Sequence, residues 1–421
     1  MADAVIVAAA RTPIGKVGRG ALADVRSDDL GGFAVDRALD QVPGLDPAEV
    51  ADLYWGCALT YHSQGYNIGR QVGLLSRLPD RVPATTMTRA CASSLTALRA
   101  AVHALAADDG PAYVVGGSDS YSMVMGRGFD ADDHNPRFTD PFRADYAGPA
   151  YIDVFDTAEI VADRYGVTRS EMDAFALGSH QRAVAARAAG FWDHEISPYV
   201  KADGTVVADD DCPRPTTSLE ALAALKPVLA DWDGGDGRGG GGGRGGRDGG
   251  GGGGGGVAGG GGVAGGRVTA GNTTIAGDGA ATLVVMDGVR AAELGLTPLA
   301  RVTATAVSGL APEVMGMGPV DATRRALAKA GLAIGDVDVV ECHENFAAQV
   351  IPVCRELGVD MERQLNPFGG SLALGHPSGM TGVRIVVTLL NGLRALDGTV
   401  GLATTCAAGG QGLTVVVERL S

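Results

Sequence analysis

The sequence predicts an α/β protein built as two similar halves, and three observations carry that prediction. Apolar runs of strand length alternate with stretches whose apolar residues recur at helical spacing. The order of these elements in residues 1–119 recurs in residues 298–421. Between the two lies a less regular insert that contains a tract of dense glycine.

The elements follow in order. Residues 5–10 form a short apolar run that reads as a buried strand, and residues 28–39 place Leu30, Phe33, Ala34 and Leu39 on one helical face. Residues 45–50 carry an acid ahead of a proline, the start of a short helix, and lead into a strand at 53–57. Residues 91–106 repeat Leu95, Leu98, Val102 and Leu105 at helical spacing before a strand at 112–117. The second half opens with a strand at 301–307 and a helix at 320–330. A cap and strand follow at 334–342, then a helix at 379–396 and a strand at 400–405. We expect residues 1–119, completed by about 275–297, to form the first half and residues 298–421 the second. The insert at 120–274 is rich in helix over 158–187. In 234–266, 24 of 33 residues are glycine, a density whose backbone entropy predicts a flexible segment. Paired halves put their strand-to-helix loops on a shared face, where α/β folds usually carry chemistry.

Composition narrows the function. A formal charge of −15 argues against nucleic acid or anionic membrane as a partner, because both require a basic surface. Three arginines among the glycines have no aromatic residues between them, which also argues against RNA. The first residues lack the basic start of an export signal, and no apolar stretch is long enough to span a membrane. Six cysteines without a CxxC pair point to free thiols, a reducing cytoplasmic location and no structural metal.

Four loops could carry chemistry. Cys91 lies in TRACASS (88–94), at the first turn of the expected helix, where unpaired amides favour a thiolate and lower the thiol's pKa. Taken alone it reads first as a small core cysteine. His376 lies in GGSLALGHPSGMTG (369–382), where glycines permit close backbone approach and Pro377 directs the chain. Cys406 follows a strand into the glycine turn of TTCAAGGQG (404–412), and His343 ends a strand in ECHENFAAQ (341–349). Each alone fits a turn or a packed interface. Two cysteines and two histidines on matching loops of duplicated halves fit thioester chemistry better.

These motifs resemble the thiolase family over nearly the whole chain, the glycine tract excepted. TRACASS is similar to the family's nucleophile segment, GHPSGMTG (375–382) to its histidine segment and CAAGGQG (406–412) to its second-cysteine segment. LKP (225–227), VTAGN (268–272) and DGAA (278–281) resemble the loop domain that receives coenzyme A. HENFA (343–347) replaces the commoner NEAFA, and its histidine resembles the trifunctional-complex type. Asn345 stands where that type has alanine, and Phe155 where glycine is usual.

The resemblance implies a thiolase-like fold of duplicated halves in five layers, αβαβα, with an inserted loop domain. It implies an acetyl-CoA C-acyltransferase that cleaves β-ketoacyl-CoA or condenses acyl-CoAs through an acyl-cysteine. In that reading Cys91 is the nucleophile, His376 its base and Cys406 the acid/base of the second half-reaction. His343 joins His376 at the enolate oxygen, and the backbone N–H groups of Cys91 and Ala408 form the second oxyanion site. Arg214 would lie near the nucleotide, Leu225 beside the adenine or pantetheine, and Thr274 near the pantetheine amides. Asn345 and Phe346 would lie by the thioester channel. Coenzyme A and acyl-CoA enter as substrates, with no permanent cofactor. A homodimer or higher homo-oligomer is expected, and by analogy a hydratase/dehydrogenase subunit is a further partner. The alternatives are a ketoacyl-synthase-like condensing enzyme and a non-catalytic acyl-CoA-binding subunit.

Overall fold

A computed structural model describes residues 3–126, 131–229 and 265–421. Most of the tract at 234–266 lies outside the described residues, and so does the flexibility expected of it. In the first half, β1 (Ala4–Arg11) and α1 (Ser27–Leu39) precede β2 (Val50–Gly56), α2 (Ile68–Leu75) and β3 (Ala84–Met87). Next come α3 (Ser93–Ala106) and β4 (Ala112–Ser120). The insert contributes α4 (Val154–Arg164) and α5 (Arg169–Ala188), and the chain returns to the sheet as β5 (Gly277–Asp287). The second half runs β6 (Ala300–Gly309), α6 (Gly318–Ala330), β7 (Val339–Cys342) and α7 (Ala347–Leu357). It ends with α8 (Ser378–Ala395), β8 (Val400–Ala407) and β9 (Gln411–Arg419).

The strands pair in the order β7-β8-β9-β6-β1-β5-β4-β2-β3. Each half supplies one run of this path, and the runs meet where β1 pairs with β6 through only Val5–Arg301 and Ile6–Ala300. Helices α3 and α8 pack against each other and against strands of both runs, while α1 covers the first run and α6 the second. The outcome is five layers, with α3 and α8 in the middle. Their faces explain the placement: α8 buries fifteen of its eighteen residues, because it has sheet on both sides, whereas α1 and α6 each keep a polar outer stripe. Strands β4 and β8 are buried almost throughout, so neither shows the alternation of a half-exposed strand, and their few polar residues lie toward the site end.

Two expected elements differ. The short helix at 45–50 is a single 3-10 turn (Pro47–Glu49), held by Asp46 accepting from the Ala48 N–H at 2.9 Å, because Val50 already enters β2. The helix expected from Cys91 starts two residues later. The Ser93 hydroxyl donates to the Ala90 carbonyl at 2.6 Å and accepts from the Arg89 N–H at 2.9 Å, closing a turn before the helix with Ala90 at φ 44°.

The insert is tied to the first strand by buried charge. Arg11 on β1 donates to Glu195 at 2.6 Å and, through two nitrogens, to Asp210 at 2.8 and 3.0 Å. Among the described residues, no helix is long and apolar enough to cross a membrane.

Candidate active site

Register places the candidate residues. Gly56 on β2 pairs with Gly117 on β4, and Cys342 on β7 pairs with Thr404 on β8. The next residue along the first strand of each pair is Cys57 in one half and His343 in the other. Two residues along the second strand stand Asp119 and Cys406. Cys91 lies two residues before α3, and His376 two residues before α8. Duplication therefore makes Cys91 and His376 structural counterparts, and the middle helical layer brings their loops together. A Cβ on Gly117 would collide with the carbonyl oxygen of Gly379, so glycine at both places lets β4 and the histidine loop touch backbone to backbone.

The partners of Cys91 are set by hydrogen-bond accounting. His376 Nε2 lies 3.1 Å from Cys91 Sγ, and Nδ1 lies 2.7 Å from the Thr381 hydroxyl. That hydroxyl has one hydrogen and donates it to the Pro377 carbonyl at 2.9 Å, so it accepts from the ring. The proton of neutral His376 is consequently on Nδ1, leaving Nε2 with a lone pair facing the thiol. The Ser378 hydroxyl is 3.0 Å from the same Nε2 and 2.6 Å from the Tyr121 hydroxyl, and its bond to Cys91 favours the thiolate.

Charge runs opposite to the sequence expectation. Although its side chain is only half-buried, burial among its neighbours pushes the Cys91 thiol up to about 12, and Cys91 sits ahead of α3 rather than in the helix's first turn. Burial and then Arg384 push His376 down to about 3. Both shifts favour the neutral forms, thiol and imidazole.

His343 is fully buried, with its ring centroid 4.2 Å from that of His376. Its Nδ1 is 2.9 Å from the Ser371 hydroxyl, and its Nε2 has no partner among the described residues. Burial, then the neighbouring His376, push its pKa well down. Cys406 is fully buried at the end of β8, and burial followed by Cys91 raises its thiol. Cys91, His343 and His376 bring ligand-type atoms within 4.8 Å of one another, a spacing compatible with a metal ion.

The remaining candidates are spread wider. Ala408 is exposed on the turn after β8, next to Gly409 at φ 80°. Thr274 lies on the site's wall, but its hydroxyl donates to the Ser371 carbonyl at 2.6 Å and its N–H to the Asn345 carbonyl at 3.0 Å. Asn345 is buried, and Phe346 packs edge-on against Phe155 at 5.6 Å, so the two departures from the usual motifs lie near each other. Arg214 is half-buried with its N–H on His180 Nδ1 at 3.2 Å, and Leu225 is exposed.

Sequence reasoning missed the supports. Asp119 accepts from Cys57 Sγ, the Ala58 and Leu59 N–H groups, Gln64 and the Gly379 N–H, which ties the histidine loop to β4. Glu344 accepts from Ser179 at 2.7 Å, Asn366 at 2.6 Å and the Leu372 N–H at 3.0 Å, which clamps the loop before His376 to α5. Thr381 was within reach of the sequence, five residues past His376 in the same motif. Asp119 and Glu344 act across separations that no local pattern records.

The chain is similar to known proteins over nearly its whole length. Residues 4–235 match the family model for the thiolase N-terminal domain, and residues 296–419 match the thiolase C-terminal domain. The chain is 38% identical over 427 residues to a 3-ketoacyl-CoA thiolase of Saccharophagus degradans, covering 99% of this chain and 98% of the relative. It is 39% identical over 436 residues to a β-ketoadipyl-CoA thiolase of Pseudomonas putida, covering all of both. The crystal structure of the Bacillus anthracis acetyl-CoA acetyltransferase superposes with a TM-score of 0.81 at 32% identity, covering 100% of this chain and 99% of that one.

Proposed function

The chain belongs to the thiolase family and is an acyltransferase of thiolase function; from that premise we propose the following roles for its residues. Cys91 is the nucleophile and His376 its base, and the observation that carries this is the 3.1 Å approach of a lone-pair-bearing Nε2 to the thiol. In cleavage, Nε2 takes the thiol proton and Sγ attacks the β-keto carbonyl of a ketoacyl-CoA. The Cα–Cβ bond breaks, and Cys406 donates its proton to the departing enolate carbon, which leaves as acetyl-CoA. The Cys406 thiolate then takes the proton of incoming coenzyme A. The coenzyme's sulfur displaces the acyl group from Cys91, which recovers its proton from His376.

Oxygens along this path need donors. His343, with His376, faces the enolate oxygen, and the Cys91 and Ala408 N–H groups face the tetrahedral oxyanion. Such a donor is typically worth about a hundred- to a thousandfold in rate. The insert at 120–274 receives coenzyme A, with Arg214 and Leu225 toward the nucleotide and Thr274, Asn345 and Phe346 along the pantetheine channel. Among the described residues, strand β3 ends the sheet without a further strand on its outer edge, which supports pairing of two copies through the first half. Six unpaired cysteines support a reducing compartment such as the cytoplasm.

Incubation with acetyl-CoA followed by intact-protein mass measurement tests the assignment. An added acetyl group that disappears in Cys91→Ser, together with loss of turnover, is the expected result. Normal turnover in that variant would remove Cys91 from the mechanism.

A further inference from the structure

Arg384 lies on α8, two turns beyond His376, buried at 1% exposure. Its Nη2 donates to the Ser371 hydroxyl at 2.6 Å, and the same hydroxyl lies 2.9 Å from His343 Nδ1. A guanidinium carries only donors, so Ser371 accepts from Arg384 and keeps its own hydrogen for a second partner. The one that satisfies the whole chain is the lone pair of His343 Nδ1. The proton of neutral His343 then sits on Nε2, the buried ring nitrogen with no partner among the described residues. An unpaired buried N–H is costly unless something arrives to accept it.

We propose that Arg384 is a positioning residue that acts through Ser371 to lock His343 as its Nε2–H tautomer, making the ring an uncharged donor aimed at the substrate oxygen. This rests on the reading that His343 faces that oxygen. The two histidines of the site thus carry opposite tautomers for opposite tasks. Thr381 puts the His376 proton on Nδ1 so that Nε2 can accept, and Ser371 puts the His343 proton on Nε2 so that it can donate. The groups around His343 are consistent with an uncharged ring: burial first, then His376 and Arg384, oppose a second proton. Glu341, 3.8 Å from Arg384 and also buried, faces the guanidinium from β7, and Glu344 lies beyond it, held by its three donors.

The same relay bears on metal binding. The spacing of Cys91, His343 and His376 admits a soft divalent cation, but a protonated Nε2 is no ligand. Freeing it would require moving that proton to Nδ1, against the hydrogen already offered by Ser371.

Selective 15N labelling of histidine in the full-length enzyme tests the proposal, with the His343 signals assigned by their loss in His343→Gln. The expected wild-type spectrum has a protonated Nε2 and a bare Nδ1. Ser371→Ala should yield a mixture of tautomers, lower α-proton exchange into acetyl-CoA about tenfold and strengthen zinc inhibition, while Cys91 is still acetylated. Arg384→Lys, which keeps a donor for Ser371, should retain more exchange than Arg384→Met. If either Arg384 variant fails to fold, the Ser371→Ala spectrum alone decides. A wild-type ring protonated on Nδ1, or a Ser371→Ala ring unchanged in tautomer and in exchange, would overturn the relay. A protonated Nε2 with exchange untouched in His343→Ala would instead overturn the placement of His343 at the oxygen, and with it the relay's purpose.

Discussion

The two halves place the same strand ends around the site and finish them in opposite ways. In the first half the equivalent positions hold Cys57 and Asp119, which bond to each other at 3.3 Å. Four further donors close around the carboxylate, from Ala58, Leu59, Gln64 and Gly379. In the second half they hold His343 and Cys406, both fully buried, with His343 Nε2 left without a partner among the described residues. The first half's carboxylate is saturated by protein donors, while the second half leaves a buried ring nitrogen which, on the proposed roles, a substrate oxygen would meet. On the proposed roles, the duplicated fold divides into a supporting half and a reacting half, and Cys91, with its Sγ 3.1 Å from His376 Nε2, is the group of the first that meets the second at the site.

The largest effect expected from this division lies at the equivalent pair Cys406 and Asp119 and at their neighbours. Cys406→Ala should still be acetylated, since His376 can generate the first thiolate. It should lose α-proton exchange by about a hundred- to ten-thousandfold, the usual worth of a general acid or base. Cys57→Ala, the counterpart of His343 in the closed half, should change exchange by no more than a few-fold. Mass measurement of the adduct and deuterium exchange into acetyl-CoA, run on the same preparations, check both. Exchange at the parent rate in Cys406→Ala would break the comparison.

Next in size is the closed knot itself. Asp119→Ala removes the acceptor of five donors in a buried site, which should cost about 3 kcal/mol of stability and loosen the Gly379 N–H beside the histidine loop. Asp119→Asn keeps one acceptor oxygen and should lose less. Denaturant melts measure the first effect, and the rate of Cys91 alkylation measures the second. Wild-type stability in Asp119→Ala would mean the knot does not brace the loop.

The two carboxylates extend the comparison to pH. Burial raises both, Asp119 to about 6 and Glu341 to about 8. The difference follows from their partners: several donors offset burial at Asp119, whereas neither oxygen of Glu341 has a hydrogen-bond partner among the described residues. A carboxyl raised in the fold binds its proton more tightly there than in the unfolded chain. Its contribution to stability is therefore whole below the ordinary glutamate range, falls as pH climbs to about 8 and is flat above. Melting temperatures of wild type should decline between pH 5 and 8.5, and Glu341→Gln, which cannot ionise, should flatten that decline.

How legible all this was depends on the range of the interaction. The paired halves could be read because periodicity is local: Leu30, Ala34 and Leu39 report α1, and the run at 400–405 reports β8. Cys91, His343, His376 and Cys406 stood out because glycine, proline and polar residues crowd strand ends. The start of α3 was misplaced by two residues because Ser93 closes a turn that periodicity cannot see. The Cys91 pKa was expected on the wrong side because burial, a property of the assembled halves, outweighs a nearby helix end. Asp119, Ser371 and Arg384 gave no signal, since their roles follow from partners brought together only by the sheet and the middle layer.

The smallest expected effect concerns the segment between the two stretches of the insert that flank the glycines. Val228 N–H donates to the Val268 carbonyl at 2.9 Å, and Pro227 bridges Thr269, so the flanks are joined by their own backbone. Glu159 adds to that closure by accepting from the Arg267 N–H at 2.6 Å and the Val268 N–H at 2.7 Å. A loop whose ends are already held adds little by being long, because closure entropy grows only with the logarithm of length. Deleting residues 234–264 should therefore raise stability by about 1 kcal/mol at most and leave turnover with ketoacyl-CoA unchanged. A fall in melting temperature would show that the glycine-dense segment, despite its few side chains, packs on the body of the protein. A rise in KM for coenzyme A at unchanged kcat would place it beside the channel of the insert, and the reacting half would then owe part of its substrate binding to a stretch with almost no side chains.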